Sequence, residues 1–104
     1  MPQIVDMRWA VLNSAASGSI TVITGTAGSP MKIWQVLANS VTATTLTFGD
    51  GSTALSGPVA LGATSSLVLP YTGAPWFYVA PGDNFTITNG SAVQISGTIY
   101  YTLG

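Results

Sequence analysis

The sequence contains no histidine and no cysteine, and its three acidic residues are all aspartate. Without imidazole or thiolate, the chain cannot form a Ser–His–Asp triad, a Cys–His pair or a zinc site with those ligands. It also lacks any side chain whose ordinary pKa would make it a switch near neutral pH. We therefore assign no catalytic, cofactor-binding or metal-ligating residue, and we expect a protein that is not an enzyme.

Charge is scarce as well, at 5% of the 104 residues. Two basic residues, Arg8 and Lys32, are too few to neutralise the phosphates of a nucleic acid or to form a polybasic membrane patch. No apolar run approaches the ~20 residues of a membrane span, and residues 1–6 do not have the pattern of a secretory signal. We expect neither nucleic-acid nor membrane partners.

The scarcity of charge also bears on association with other proteins. A soluble monomer normally carries interspersed surface charge, whereas a surface of Ser, Thr, Gly and apolar atoms costs little to desolvate. This composition favours a permanent interface with other chains. A monomer kept soluble by Ser and Thr alone is the alternative.

Asp50 and Asp83 are the remaining candidates for acid–base chemistry or for calcium binding. Each directly follows a glycine, in a segment typical of turns. Aspartate in turns commonly hydrogen-bonds its own backbone. We interpret both as turn residues.

Secondary structure is indicated by short runs rich in Thr, Val, Ile and aromatic residues, which Gly, Pro, Asn and Asp separate. This pattern is typical of many short strands. We predict an all-β fold with one domain over residues 1–104. It would be an antiparallel, jelly-roll-like β-sandwich of about eight or nine strands, which limits bare sheet edges. Residues 1–13 would form an N-terminal arm or the first strand.

Two segments give sharper predictions. Residues 93–103 alternate strictly between apolar or glycine positions and polar or tyrosine positions, and a shorter alternating run precedes them. Because Asn89-Gly90 lies between the runs, we predict a hairpin of 85–88 with 92–103. Residues 31–37 are apolar on both faces, which predicts a strand that is central or covered by a neighbouring subunit.

The three tryptophans, Trp9, Trp34 and Trp76, are the candidate interface residues. Large rings in a small chain most often fill the core or a subunit interface, and the sequence does not separate these two. A stacking platform for sugars is a further alternative.

The stretch from Lys32 to Tyr101 resembles small proteins encoded among bacteriophage structural genes. The resemblance lies in turn and strand segments: Ser52 to Leu61, Leu67-Val68-Leu69-Pro70, Pro75-Trp76-Phe77, Pro81-Gly82-Asp83-Asn84 and Ala92 to Gly97. It implies a virion component with a jelly-roll-like fold, in particular a capsid decoration (cement) protein.

Such a protein would be made in the host cytoplasm and would then lie on the capsid surface. As a homotrimer it would bind the major capsid protein and stabilise the shell. A tail- or fibre-associated virion protein, or a carbohydrate-binding module for host adhesion, is the alternative.

Overall fold

The computed structural model describes residues 7–51 and 53–104, and within them it contains strands and no helix. The strands are β1 (Arg8–Ser14), β2 (Gly18–Ile23), β3 (Met31–Ser40), β4 (Thr44–Asp50), β5 (Thr53–Ala54), β6 (Val59–Leu61), β7 (Ser65–Leu69), β8 (Phe77–Val79), β9 (Phe85–Asn89) and β10 (Ile95–Leu103). The all-β prediction is confirmed. The two-residue β5 and the three-residue β6 and β8 bring the described strands to ten.

The strands form two five-stranded antiparallel sheets. The first sheet has the order β1-β10-β3-β7, with β8 also paired to β3, and the second has the order β2-β9-β4-β5, with β6 also paired to β4. Strands from opposite ends of the sequence are therefore neighbours: β1 lies beside β10, and β2 beside β9. The connections β1–β2, β2–β3, β3–β4, β6–β7, β8–β9 and β9–β10 cross from one sheet to the other, as in a jelly-roll β-sandwich.

The core lies between the sheets and consists of the alternate residues that face inward from each strand. Phe77 of the first sheet packs against Phe48 and Phe85 of the second, with ring centroids 5.0 Å and 6.0 Å away. Fully buried Leu, Ile and Met side chains fill the rest of this core: Leu12, Met31, Ile33, Leu46, Ile87, Ile95 and Ile99. None of the three tryptophans belongs to this core.

The predicted hairpin of 85–88 with 92–103 is wrong. Strand β9 pairs with β2 and β4, whereas β10 pairs with β1 and β3 in the other sheet. The turn at Asn89-Gly90 carries the chain across the sandwich and does not join partners within one sheet. Alternation identifies the face that a residue occupies but leaves the neighbouring strand open.

Strand β3 is central, as one reading of its two apolar faces predicted, and it contains a bulge. Tyr100 of β10 is opposite Gln35, but the next residue, Tyr101, is opposite Ile33, so Trp34 is an extra residue in β3. Because of the bulge, Met31 before it and Val36 after it both face the core. Trp34 is thereby left on the outer side of the sheet.

Part of the predicted N-terminal arm or first strand, residues 1–13, is described by the structure. Residues 8–13 belong to the first strand, while residues 1–6, the rest of the possible arm, lie outside the described residues.

An aromatic and apolar face as the candidate functional site

The outer face of the first sheet carries apolar side chains in cross-strand rows. Val11 is opposite Thr98, Thr98 is opposite Leu37, and Leu37 is opposite Val68, so this row crosses four strands. Val11 is 70% exposed, Leu37 is 44% exposed and Val68 is 55% exposed. Side chains in such register are close neighbours, and the row is a strip of exposed apolar side chains in which the half-buried Thr98 is the polar member.

Aromatic residues extend the strip towards the end of the sheet at which β1 and β3 begin. Trp9 is 65% exposed and lies opposite Tyr100, which in turn is opposite Gln35. Tyr78 of β8 is half exposed and lies opposite Lys32 of β3. Lys32 is the charged residue at this end of the face. The result is a surface of rings and aliphatic groups with few charges.

The indoles of Trp34 and Trp76 are held in place by their own hydrogen bonds. Trp34 Nε1 donates to Thr102 Oγ1 at 2.7 Å, and its ring lies 5.7 Å from that of Tyr71 between centroids. Trp76 Nε1 donates to the carbonyl oxygen of Pro70 at 2.7 Å, and its backbone N–H donates to Ile33. With their polar atoms satisfied inside the chain, these residues present only ring surface to a partner.

The structure therefore places all three sequence-predicted residues on one side of the molecule. Trp9 and Trp76 are exposed and Trp34 is half-buried. Sequence reasoning missed the aliphatic row, although the alternation of Trp9 and Val11 with Ala10 and Leu12 could have indicated which side of β1 faces outward.

The outer face of the second sheet has a different chemistry. Ser19 is opposite Thr88, and Thr88 is opposite Thr47. In the neighbouring row the exposed Thr21 is opposite Thr86, which is buried and donates its hydroxyl to the carbonyl oxygen of Gly51. These positions carry hydroxyl groups and no rings or charges. One sheet thus presents a hydroxyl-bearing surface that water solvates well, and the other presents a surface that water solvates poorly.

The two aspartates of the described residues lie together at the end of the sandwich, which is a contact that sequence reasoning missed. Asp50 is the last residue of β4, and Asp83 lies in the turn before β9. Asp50 Oδ2 accepts a hydrogen bond from Ala80 N at 3.2 Å, while Oδ1 is buried and receives none from the described residues. The interpretation of Asp50 as a residue that bonds its own turn is wrong, because its partner is thirty positions away.

The pKa of Asp83 is raised above the ordinary value of 3.8. The main cause is a hydrogen bond with the Asp50 side chain, followed by the negative charge of Asp50 and by slight desolvation. Two carboxyl groups can form such a bond only when one of them carries a proton, so the contact favours protonated Asp83. Within residues 7–51 and 53–104, no group of three or more His, Cys, Asp or Glu side chains could hold a metal ion.

No helix in those same residues is long and apolar enough to span a membrane. Comparisons with protein-family models, with curated proteins and with solved structures give no match. The likeness to virion proteins therefore stays a prediction from the sequence, and the outer face of the first sheet is the feature from which a function can be argued.

Proposed function

We propose that the protein is a non-enzymatic structural subunit that packs the outer face of its first sheet against another protein in a stable assembly. The observation that carries the proposal is the strip of Val11, Leu37 and Val68, flanked by Trp9 and Tyr78, on one sheet only. Contiguous exposed apolar patches rimmed by polar groups are typical of interaction sites. Aromatic residues are enriched in the buried centres of interfaces.

The resemblance described above suggests which assembly this is. A capsid decoration protein needs a face that covers apolar surface of the major capsid protein, and it needs no chemistry. The few charges of the chain suit such contacts, since they leave little to desolvate. The homotrimer is implied by that resemblance alone and is a separate prediction, because no feature of the described residues selects a threefold interface.

The test uses empty shells of the phage that the resemblance implies as the source of the gene, the purified chain and two matched variants. Leu37→Lys places a charge in the middle of the strip, and Thr47→Lys places the same charge on the hydroxyl face of the second sheet. We expect the unmodified chain and Thr47→Lys to co-sediment with shells and to raise the shell melting temperature. We expect Leu37→Lys to bind at least about tenfold more weakly, as for a residue at the centre of an interface.

Failure of the unmodified chain to bind shells would overturn the capsid assignment. Equal binding by both lysine variants would overturn the assignment of the face. Circular dichroism of each variant checks that the change at the exposed Leu37 or at the half-buried Thr47 leaves the fold intact.

Carbohydrate binding is the second candidate, and the fixed indoles of Trp34 and Trp76 favour it. Rings whose N–H groups are already bonded are rigid stacking surfaces, and Gln35, Lys32 and the Tyr100 hydroxyl lie among them as hydrogen-bonding groups. Binding on a glycan array that Trp9→Ala and Trp76→Ala abolish, and that Leu37→Lys retains, would select this function. Absence of binding to any glycan would reject it.

A further inference from the structure

The four sheet edges of the sandwich differ in how they are protected from other chains. An edge strand presents unpaired N–H and C=O groups, and proteins normally block it with a bulge, a proline, a charge or a short strand. In the second sheet, β2 has a bulge at Val22, between the pairs Thr21↔Thr86 and Ile23↔Phe85. The opposite edge consists of β5 and β6, of two and three residues.

The first sheet has one protected edge and one open edge. On one side lie β7, which Pro70 follows, and the three-residue β8. On the other side lies β1, seven residues long, without proline and in unbroken register with β10. Its single charge is Arg8, at its first position. Among residues 7–51 and 53–104, β1 pairs with β10 alone, so in this part of the chain its other side is open along the full length of the strand.

We infer that β1 is a pairing site for a second copy of this chain, with the two β1 strands antiparallel about a twofold axis. Two residues that pair across neighbouring strands lie on the same face of the sheet. Even- and odd-numbered residues of β1 lie on opposite faces, so the two residue numbers of each pair must add up to an even number. The register that pairs all seven residues has the sum 22, which places Val11 opposite Val11 of the second copy. It also places Trp9 opposite Asn13, and Arg8 opposite Ser14.

This register is self-complementary, as a twofold interface requires. The two Arg8 side chains lie at opposite ends of the ladder, so no like charges meet. The row Val11–Thr98–Leu37–Val68 continues through the axis into the same row of the second copy, and the exposed Val11 gains an apolar neighbour. A seven-residue ladder is a small interface, so we expect an association that depends on concentration.

The experiment measures native mass by sedimentation equilibrium over a wide range of concentration. We expect the unmodified chain to pass from monomer to dimer. Val11→Lys should remain monomeric, because two ammonium groups would meet on the axis. Val68→Lys is the matched control: it has the same charge, face and type of exposed site, but it lies on the other edge strand, and it should dimerise like the unmodified chain.

Mixing Val11→Lys with Val11→Asp tests the register. Each variant alone should be monomeric, and the mixture should form a heterodimer because opposite charges then meet across the axis. A monomer at every concentration, loss of association in Val68→Lys, or a mixture that stays monomeric would each overturn the proposal. A trimer would overturn it too, in favour of the homotrimer that the resemblance to decoration proteins implies. These measurements need no shell, so they stand apart from the test of the proposed function.

Discussion

Asn89 is the residue on which the crossing between the sheets depends. It is buried to 1% exposure, and its Oδ1 accepts a hydrogen bond from Thr44 Oγ1 at 2.6 Å. Its Nδ2 donates to the carbonyl oxygens of Ala16 and Val93, at 3.2 Å and 3.0 Å. One side chain thus connects three segments that are distant in sequence.

Replacing Asn89 with alanine leaves the buried Thr44 hydroxyl and two part-buried carbonyl groups without this partner, and an unsatisfied buried polar group destabilises the folded state. We expect Asn89→Ala to lower the free energy of unfolding by about 3 kcal/mol. Urea denaturation monitored by circular dichroism measures this change. Asn39→Ala, at an exposed position of β3, is the control and should change stability by less than about 0.5 kcal/mol.

Asp83 gives the molecule a pH dependence with a definite sign. Its pKa in the folded chain is above 3.8, owing to Asp50, so the folded state binds the proton more tightly than the unfolded state. The stabilising contribution is therefore complete below about pH 4 and is lost as pH rises through the folded pKa. We expect the melting temperature to fall as the pH is raised through the pKa of Asp83 in the folded chain.

Asp83→Asn is the test of this mechanism. An amide can donate to Asp50 at every pH, so the fall in melting temperature should disappear while the low-pH stability is kept. A variant that retains the full pH dependence would show that another group causes it.

Gly97 shows at the scale of the strand why β10 and β3 can lie so close. A Cβ atom at this position would come within 1.8 Å of the carbonyl oxygen of Leu37 and within 2.9 Å of Ala38 Cα. Backbone cannot yield as a flexible side chain can, so the two central strands would have to separate.

We expect Gly97→Ala to lower the free energy of unfolding by about 3 kcal/mol or to prevent accumulation of folded protein. Gly57→Ala, where a Cβ meets nothing within 4 Å, should be close to neutral. Thermal denaturation of the two variants side by side gives the comparison, and similar melting temperatures would contradict the argument.

The strands were predictable because each is a local pattern. The apolar run 31–37 lies within β3 and the alternating run 93–103 contains β10, since hydrophobic periodicity reports burial residue by residue. The pairing of the strands could not be predicted in this way. Asn89-Gly90 has the sequence of a hairpin turn, but the chain crosses there from β9 in the second sheet to β10 in the first. The bulge at Trp34 and the meeting of Asp50 with Asp83 depend on packing between distant segments, which local patterns do not contain.

For the whole molecule, two basic and three acidic residues in 104 leave little for salt to screen. We expect the affinity for shells to change by less than about threefold between about 0.05 M and about 0.5 M salt. Binding isotherms at several salt concentrations measure this, with Val68→Lys as a variant whose added charge should introduce salt dependence. A steep loss of affinity for the unmodified chain would indicate a charged interface and would contradict the apolar face as the contact.

The tryptophans lie on a single side of the sandwich, and this distribution makes the chain its own optical probe. Indole emission responds to removal of water from the ring, and Trp9, Trp34 and Trp76 are the three indoles of the sequence. Covering the outer face of the first sheet should shift their emission to the blue, chiefly through the exposed Trp9. Covering the second sheet should leave the spectrum unchanged. An unlabelled sample can therefore report which face a partner occupies.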